Sequence, residues 1–192
     1  MRFSGMAVCV LSGLLFVSVP AYGAYNCSSA PTPGSAFGYT WQEYIINPLV
    51  DSDTSCWSVN SFVAATTLSS CSSTQAGWEF TSSTLGALVR TVNVGANDTG
   101  SSNWDFGFEL DFVDPTAGFN YINAYVVVKH NGVSSTVASY YHDGSMGTTY
   151  CSQHTLSFTA VNGDEIKIYL SGTRTASTAH VKVARASLIR YD

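Results

Sequence analysis

Charge is scarce in this chain. Only 11% of its 192 residues are charged, with 8 Lys and Arg against 13 Asp and Glu. The cations beyond the N-terminus are scattered: Arg90, Lys129, Lys167, Arg174, Lys182, Arg185 and Arg190. Nucleic-acid binders need clustered Lys and Arg to displace counterions, so this distribution argues against nucleic acid as a partner. Long apolar runs are also missing, apart from Ala7 to Val19, which follows Arg2. That run is shorter than the roughly 20 residues of a spanning helix. It is interrupted by Ser12 and Gly13, ends at Pro20, and is followed by the small residues Ala21 and Gly23. Residues 1–23 therefore read as a signal peptide cleaved after Gly23. The expectation is a secreted chain, extracellular or periplasmic, without membrane insertion. Loss of Arg2 moves the formal charge from -5 (8 minus 13) to -6 (7 minus 13).

Other absences narrow the chemistry. No C-x-x-C, H-x-H or H-E-x-x-H spacing offers a zinc site, and no G-x-S-x-G, phosphate loop or dinucleotide fingerprint occurs. His130, His142, His154 and His180 each fall at an expected strand boundary and read as surface imidazoles. Past the signal, four cysteines remain: Cys27, Cys56, Cys71 and Cys151. In an exported chain an even count reads as two disulfides, with three connectivities open. The favoured pairing is Cys56 with Cys71, bracketing a strand and its turn, and Cys27 with Cys151, tying the N-terminal arm to a late loop.

What the chain does contain is period-two alternation. Trp104, Phe106, Phe108, Leu110 and Phe112 alternate with Asp105, Gly107, Glu109, Asp111 and Val113. On a strand this sends five large apolar groups to one face and three carboxylates to the other. Similar stretches recur about every ten residues from Phe37 to Arg190, separated by turn signals such as Asn131-Gly132, Asn162-Gly163 and Asp143-Gly144. Trp57 to Leu68 reads as one strand, and a bulge at Arg185 is needed to return Leu188 to the core. No amphipathic helix of three turns is found. The fold class is therefore all-β: a single antiparallel jelly-roll β-sandwich of about ten strands over residues 37–192, preceded by an extended arm over 24–36.

From Tyr121 onward, the Ala-Tyr-Val-Val-Val strand, Asn131-Gly132, Leu156 to Ala160 and the Asn162 to Ile168 turn-and-strand resemble the C-terminal half of extracellular jelly-roll domains. Carbohydrate-binding modules and C1q-like heads share this arrangement of a Gly-Asp turn opening an Ile-x-Ile strand. The first likeness implies a noncatalytic domain with an extracellular glycan as partner; the second implies a structural or oligomeric surface protein. A third likeness lies in Glu109-Leu110-Asp111-Phe112-Val113-Asp114, which resembles the E-x-D-x-x-E strand of laminarinase-type glycoside hydrolases. It implies Glu109 as nucleophile, Asp111 as its modulator and Asp114 in the acid/base position. Asp114 departs from the family's glutamate, and Pro115 after it suggests a strand end. A solvated or loop-covered acidic face is the alternative.

For glycan recognition the informative residues are aromatic, because sugars stack their C–H faces on Trp and Tyr while neighbouring polar groups bond their hydroxyls. Trp57 and Trp78 are candidates, set against a core role for each. Tyr141, His142 and Asp143, before Gly144, are stronger ones. Tyr140 and Tyr141 point to opposite faces, so one is outward. No resident cofactor is required. Asp51 and Asp53 admit a calcium ion, and Asp-Ser-Asp is equally good turn chemistry. Asn26 and Asn97 head N-glycosylation sequons.

Overall fold

A computed structural model describes residues 32–36, 39–44, 57–68, 75–95, 101–113, 120–143, 149–175 and 178–191. Cys27, Cys56, Cys71, Asp51, Asp53, Asp114 and both sequons lie outside them, as does the side chain of Cys151. The disulfide and calcium expectations therefore fall outside the described residues.

Those residues form twelve strands: β1 (Thr32–Ala36), β2 (Tyr39–Glu43), β3 (Ser58–Val59), β4 (Val63–Leu68), β5 (Gln75–Phe80), β6 (Gly86–Asn93), β7 (Ser101–Val113), β8 (Tyr121–His130), β9 (Val133–Asp143), β10 (Thr149–Val161), β11 (Glu165–Thr173) and β12 (His180–Tyr191). None of the described segments is an α-helix, and none forms a helix long and apolar enough to cross a membrane. Every pairing is antiparallel. Sheet A runs β4-β5-β12-β7-β10, with the β1-β2 hairpin pairing the far end of β12. Sheet B runs β3-β6-β11-β8-β9. Laid side by side, the two orders place β3 with β4, β5 with β6, β11 with β12, β7 with β8 and β9 with β10. Each such pair is consecutive in the chain and crosses from one layer to the other, which is the jelly-roll connection.

Alternation decides what lies between the layers. Trp104, Phe106, Phe108, Leu110 and Phe112 of β7 are buried, and so are Ile166, Ile168 and Leu170 of β11 and Leu156, Phe158 and Ala160 of β10. Fully burying one large apolar side chain contributes about 1.5–3 kcal/mol, so β7 alone anchors a large part of the core. Trp104 stacks on Phe158 at 6.3 Å, and Phe106 on Phe108 at 5.3 Å. The bulge on β12 falls where the alternation breaks, between Ala184 and Ser187, and Leu188 is fully buried beyond it.

Two local details differ from the sequence reading. The stretch from Trp57 to Leu68 is two strands in different sheets, parted by a turn at Asn60. Asn60 Oδ1 accepts from the amides of Phe62 (3.3 Å) and Ala87 (3.2 Å), while its Nδ2 donates to the carbonyl of Leu85 at 2.9 Å. An asparagine side chain here replaces ladder hydrogen bonds and lets the chain change layers. The lead-in also contributes structure: its last residues form β1, paired with β2.

Asn131 and Gly132 both have positive φ, 49° and 84°, as a two-residue turn matched to strand twist requires. Asp164 closes the neighbouring β10–β11 turn: its Oδ2 accepts from the Val161 amide at 2.8 Å, and its Oδ1 lies 2.6 Å from His130 Nδ1. Elsewhere, two glycines make room for one ring. A Cβ on Gly172 would meet Phe80 Cδ2 and the carbonyl of Tyr121 at 2.8 Å each, and one on Gly86 would meet Phe80 Cδ1 at 2.6 Å. Gly172→Ala should therefore destabilise the domain by about 1–3 kcal/mol through overpacking against a backbone that cannot yield. Urea unfolding of the variant beside the wild type checks this, with an unchanged midpoint as the contrary result.

Candidate functional site

The outward face of sheet B is set by register. Tyr169 of β11 stands opposite Tyr125 of β8, with Val89 and Ser139 as their further neighbours in the same row. The next row holds Ser171, Asn123 and Tyr141, and the one after it Thr173, Tyr121 and Asp143. Four tyrosines thus gather on one sheet face, with Asn123 and Ser139 between them and with Ser171 and Thr173 buried. Tyr125 and Tyr169 stack at 4.6 Å with 5° between their planes. Direct cross-strand aromatic pairs of this kind fix ring positions, and each ring keeps its other face turned away from its partner. Tyr121 and Tyr141 lie 5.7 Å apart, and Tyr141 is 51% exposed.

Two of these phenols, Tyr125 and Tyr141, are held more firmly in the protonated form. Burial, then the proximity of Tyr169, raises the Tyr125 pKa. For Tyr141, burial again acts first, followed by the charge and hydrogen bond of Asp143 and by Tyr121. The face therefore offers aromatic surface and neutral O–H donors. Ser171 Oγ donates to the carbonyl of Asn123 at 3.3 Å, which leaves the Asn123 side chain outside that bond. Among the described residues, charge flanks this face at both ends: Asp143 at one, and at the other Lys167, which pairs with Glu165 at 3.1 Å, with Lys129 opposite Glu165. Such a surface suits a flat, uncharged, hydroxyl-rich ligand.

Of the residues expected to bind ligand, Tyr141 and Asp143 belong to this face. His142 does not. It points inward, is only 1% exposed, and meets the Phe112 ring edge-on at 4.6 Å. Its neighbour in the strand, Tyr140, is the inward tyrosine of the pair and approaches His142 Nδ1 at 3.5 Å. Trp57 and Trp78 are likewise core residues, 6% and 1% exposed, packed edge-to-face at 5.4 Å. Their rings have no open side for a sugar, so the ligand role is withdrawn for both. Tyr125, Tyr169 and Tyr121 were missed. Alternation puts Tyr169 outward, but that it meets Tyr125 is a matter of pairing between strands far apart in sequence.

The acidic face of β7 lies on the outside of sheet A, as alternation requires, and two of its members are buried there. Glu109 is 3% exposed and Asp111 is 2% exposed, so a solvated row is ruled out. Gln153 Nε2 donates to Glu109 Oε2 at 3.4 Å. Asp114, the acid/base position implied by the hydrolase likeness, falls outside the described residues. Among those residues no group of three or more His, Cys, Asp or Glu is placed to hold a metal ion.

No family model and no curated protein matches the sequence. Solved structures do align. "Family 16 Carbohydrate Binding Module-2" is 13% identical over 75% of this chain and 97% of that one, with a TM-score of 0.49. TmCBM61, solved with beta-1,4-galactotriose, is 16% identical over 78% and 94%, TM-score 0.48. The CBM22-1 xylan-binding domain of Paenibacillus barcinonensis Xyn10C is 12% identical over 73% and 88%, TM-score 0.45. At these values site and ligand must be read from this chain's own residues.

The inward imidazoles generate a pH dependence. His154 stacks on Phe108 at 5.5 Å and lies 3.9 Å from the Tyr140 ring. Burial lowers the pKa of both histidines; Asp143 partly opposes this for His142, and His142 adds to it for His154. With folded pKa values below the ordinary 6.5, protonation favours the unfolded chain. The neutral pair's contribution is complete above about pH 6.5 and is lost progressively as pH falls below it through the lowered folded values. Thermal unfolding across that window should show a falling Tm, and the double variant His142→Leu/His154→Leu should flatten the slope. An identical slope in the double variant would contradict the assignment.

Proposed function

We propose that this chain is a secreted, noncatalytic carbohydrate-binding domain whose ligand docks on the outer face of sheet B, against Tyr125, Tyr169, Tyr121 and Tyr141. The observation that carries the reading is the stacked Tyr125–Tyr169 pair, held in place by direct cross-strand register and flanked by Asn123 and Ser139. Free rings lose conformational entropy when a ligand orders them, and rings already fixed by a partner lose little. The scarcity of charge on the face supports a neutral saccharide over a polyanion. The apolar leader and the even cysteine count support an extracellular setting for such a ligand. The hydrolase alternative needs Glu109 and Asp111 in contact with substrate, and their burial weighs against that.

A glycan array, supplemented with insoluble polysaccharides in pull-down, tests the reading. At least one neutral glycan should be retained by the wild type. Tyr125→Ala and Tyr169→Ala should each weaken it about tenfold or more, equivalent to about 1.4 kcal/mol. Failure to retain any glycan, or full retention by both variants, would falsify the proposal.

A further inference from the structure

We infer that the outer face of sheet A carries a second saccharide site around Asp105, so that one domain can hold two glycan chains on opposite sides of the sandwich. The site is a depression of about 750 Å3 where β7 begins and β12 ends. Register places Thr159, Asn103 and Tyr191 in one row and Ser157 and Asp105 in the next, all on the face turned away from the core. Trp104 and Phe158 contribute from beneath, with both side chains buried.

Asp105 is the centre of this arrangement. Ser157 Oγ donates to its Oδ1 at 2.6 Å, and the Tyr191 phenol also hydrogen-bonds to it. Burial and then the Asp105 charge push the Tyr191 pKa up to about 12, so that phenol remains a donor. An ionised carboxylate offers about four acceptor positions, and two neutral donors leave about half of them free. The group is thus oriented, and adjacent hydroxyls on a sugar ring can bond its remaining lone pairs. Asn103 and Thr159, both exposed, supply further donors and acceptors at the rim. Tyr191 supplies aromatic surface. Among the described residues no lysine or arginine lines the depression, so an anionic sugar would meet the carboxylate without compensation from them. The matching ligand class is a neutral saccharide with vicinal hydroxyls. This site stands independently of the tyrosine face; only the bridging of two chains rests on both.

The test titrates the full domain with neutral gluco-, xylo-, manno- and galacto-trisaccharides while following backbone amide shifts. In the background Tyr125→Ala/Tyr169→Ala, at least one trisaccharide should still bind and perturb Asn103, Asp105, Ser157 and Tyr191. Adding Asp105→Asn, which keeps the side-chain shape, should weaken that binding about tenfold. Adding Tyr191→Phe, which removes one orienting bond and keeps the ring, should weaken it less. Two results overturn the site: no trisaccharide perturbs these residues, or both added substitutions leave affinity unchanged. Undiminished binding in the tyrosine double variant together with loss on Asp105→Asn would instead retain this site and remove the one on sheet B.

Discussion

The register of β7 is the constraint from which the rest of this structure follows. Five large side chains from Trp104 to Phe112 enter the space between the sheets, and a slip of one residue would turn all of them to the outside. No compensating arrangement exists, since the slip would also bring Asp105, Glu109 and Asp111 into an apolar interior at the cost of several kcal/mol each. With β7 fixed between β10 and β12, sheet A has its inner face, and β11 answers it from sheet B with Ile166, Ile168 and Leu170.

Fixing the inner face fixes two outer faces, and their chemistries differ. Sheet B turns out tyrosines, serines and an asparagine, with the pKa values of Tyr125 and Tyr141 raised by their surroundings. Sheet A turns out the carboxylates of β7, one half-exposed and two buried. A domain with two polar faces bearing aromatic surface is suited to ligands that are themselves flat, hydroxylated and uncharged.

Much of the scaffold was legible because alternation is a local signal. The inward sets of β7, β10 and β11, the Asn131-Gly132 hairpin and the bulge before Leu188 can each be read within about a dozen residues. The Asn60 turn escaped because its bonds to Leu85 and Ala87 join segments some 25 residues apart. Burial of His142 escaped for a related reason: proximity to a turn marks a strand end, and strand ends in a sandwich can be roofed by the opposing sheet; for Trp57 and Trp78 the core role weighed against ligand binding is the one found. The tyrosine face needed more still. Tyr121, Tyr125, Tyr141 and Tyr169 come together only once β8 is paired with β11 on one side and β9 on the other. Outward residues on separate strands carry no sequence signal of which row they share.

The central claim is that this register-built tyrosine face, and no other part of sheet B, receives the saccharide. Aromatic-proton NMR of the domain with a retained soluble glycan measures it most directly. The account predicts upfield or broadened ring resonances of Tyr125 and Tyr169 together with Tyr121 and Tyr141, while the inward Tyr140 and the rings of Trp57 and Trp78 stay unchanged. Glycan binding that leaves all four tyrosines undisturbed would contradict it.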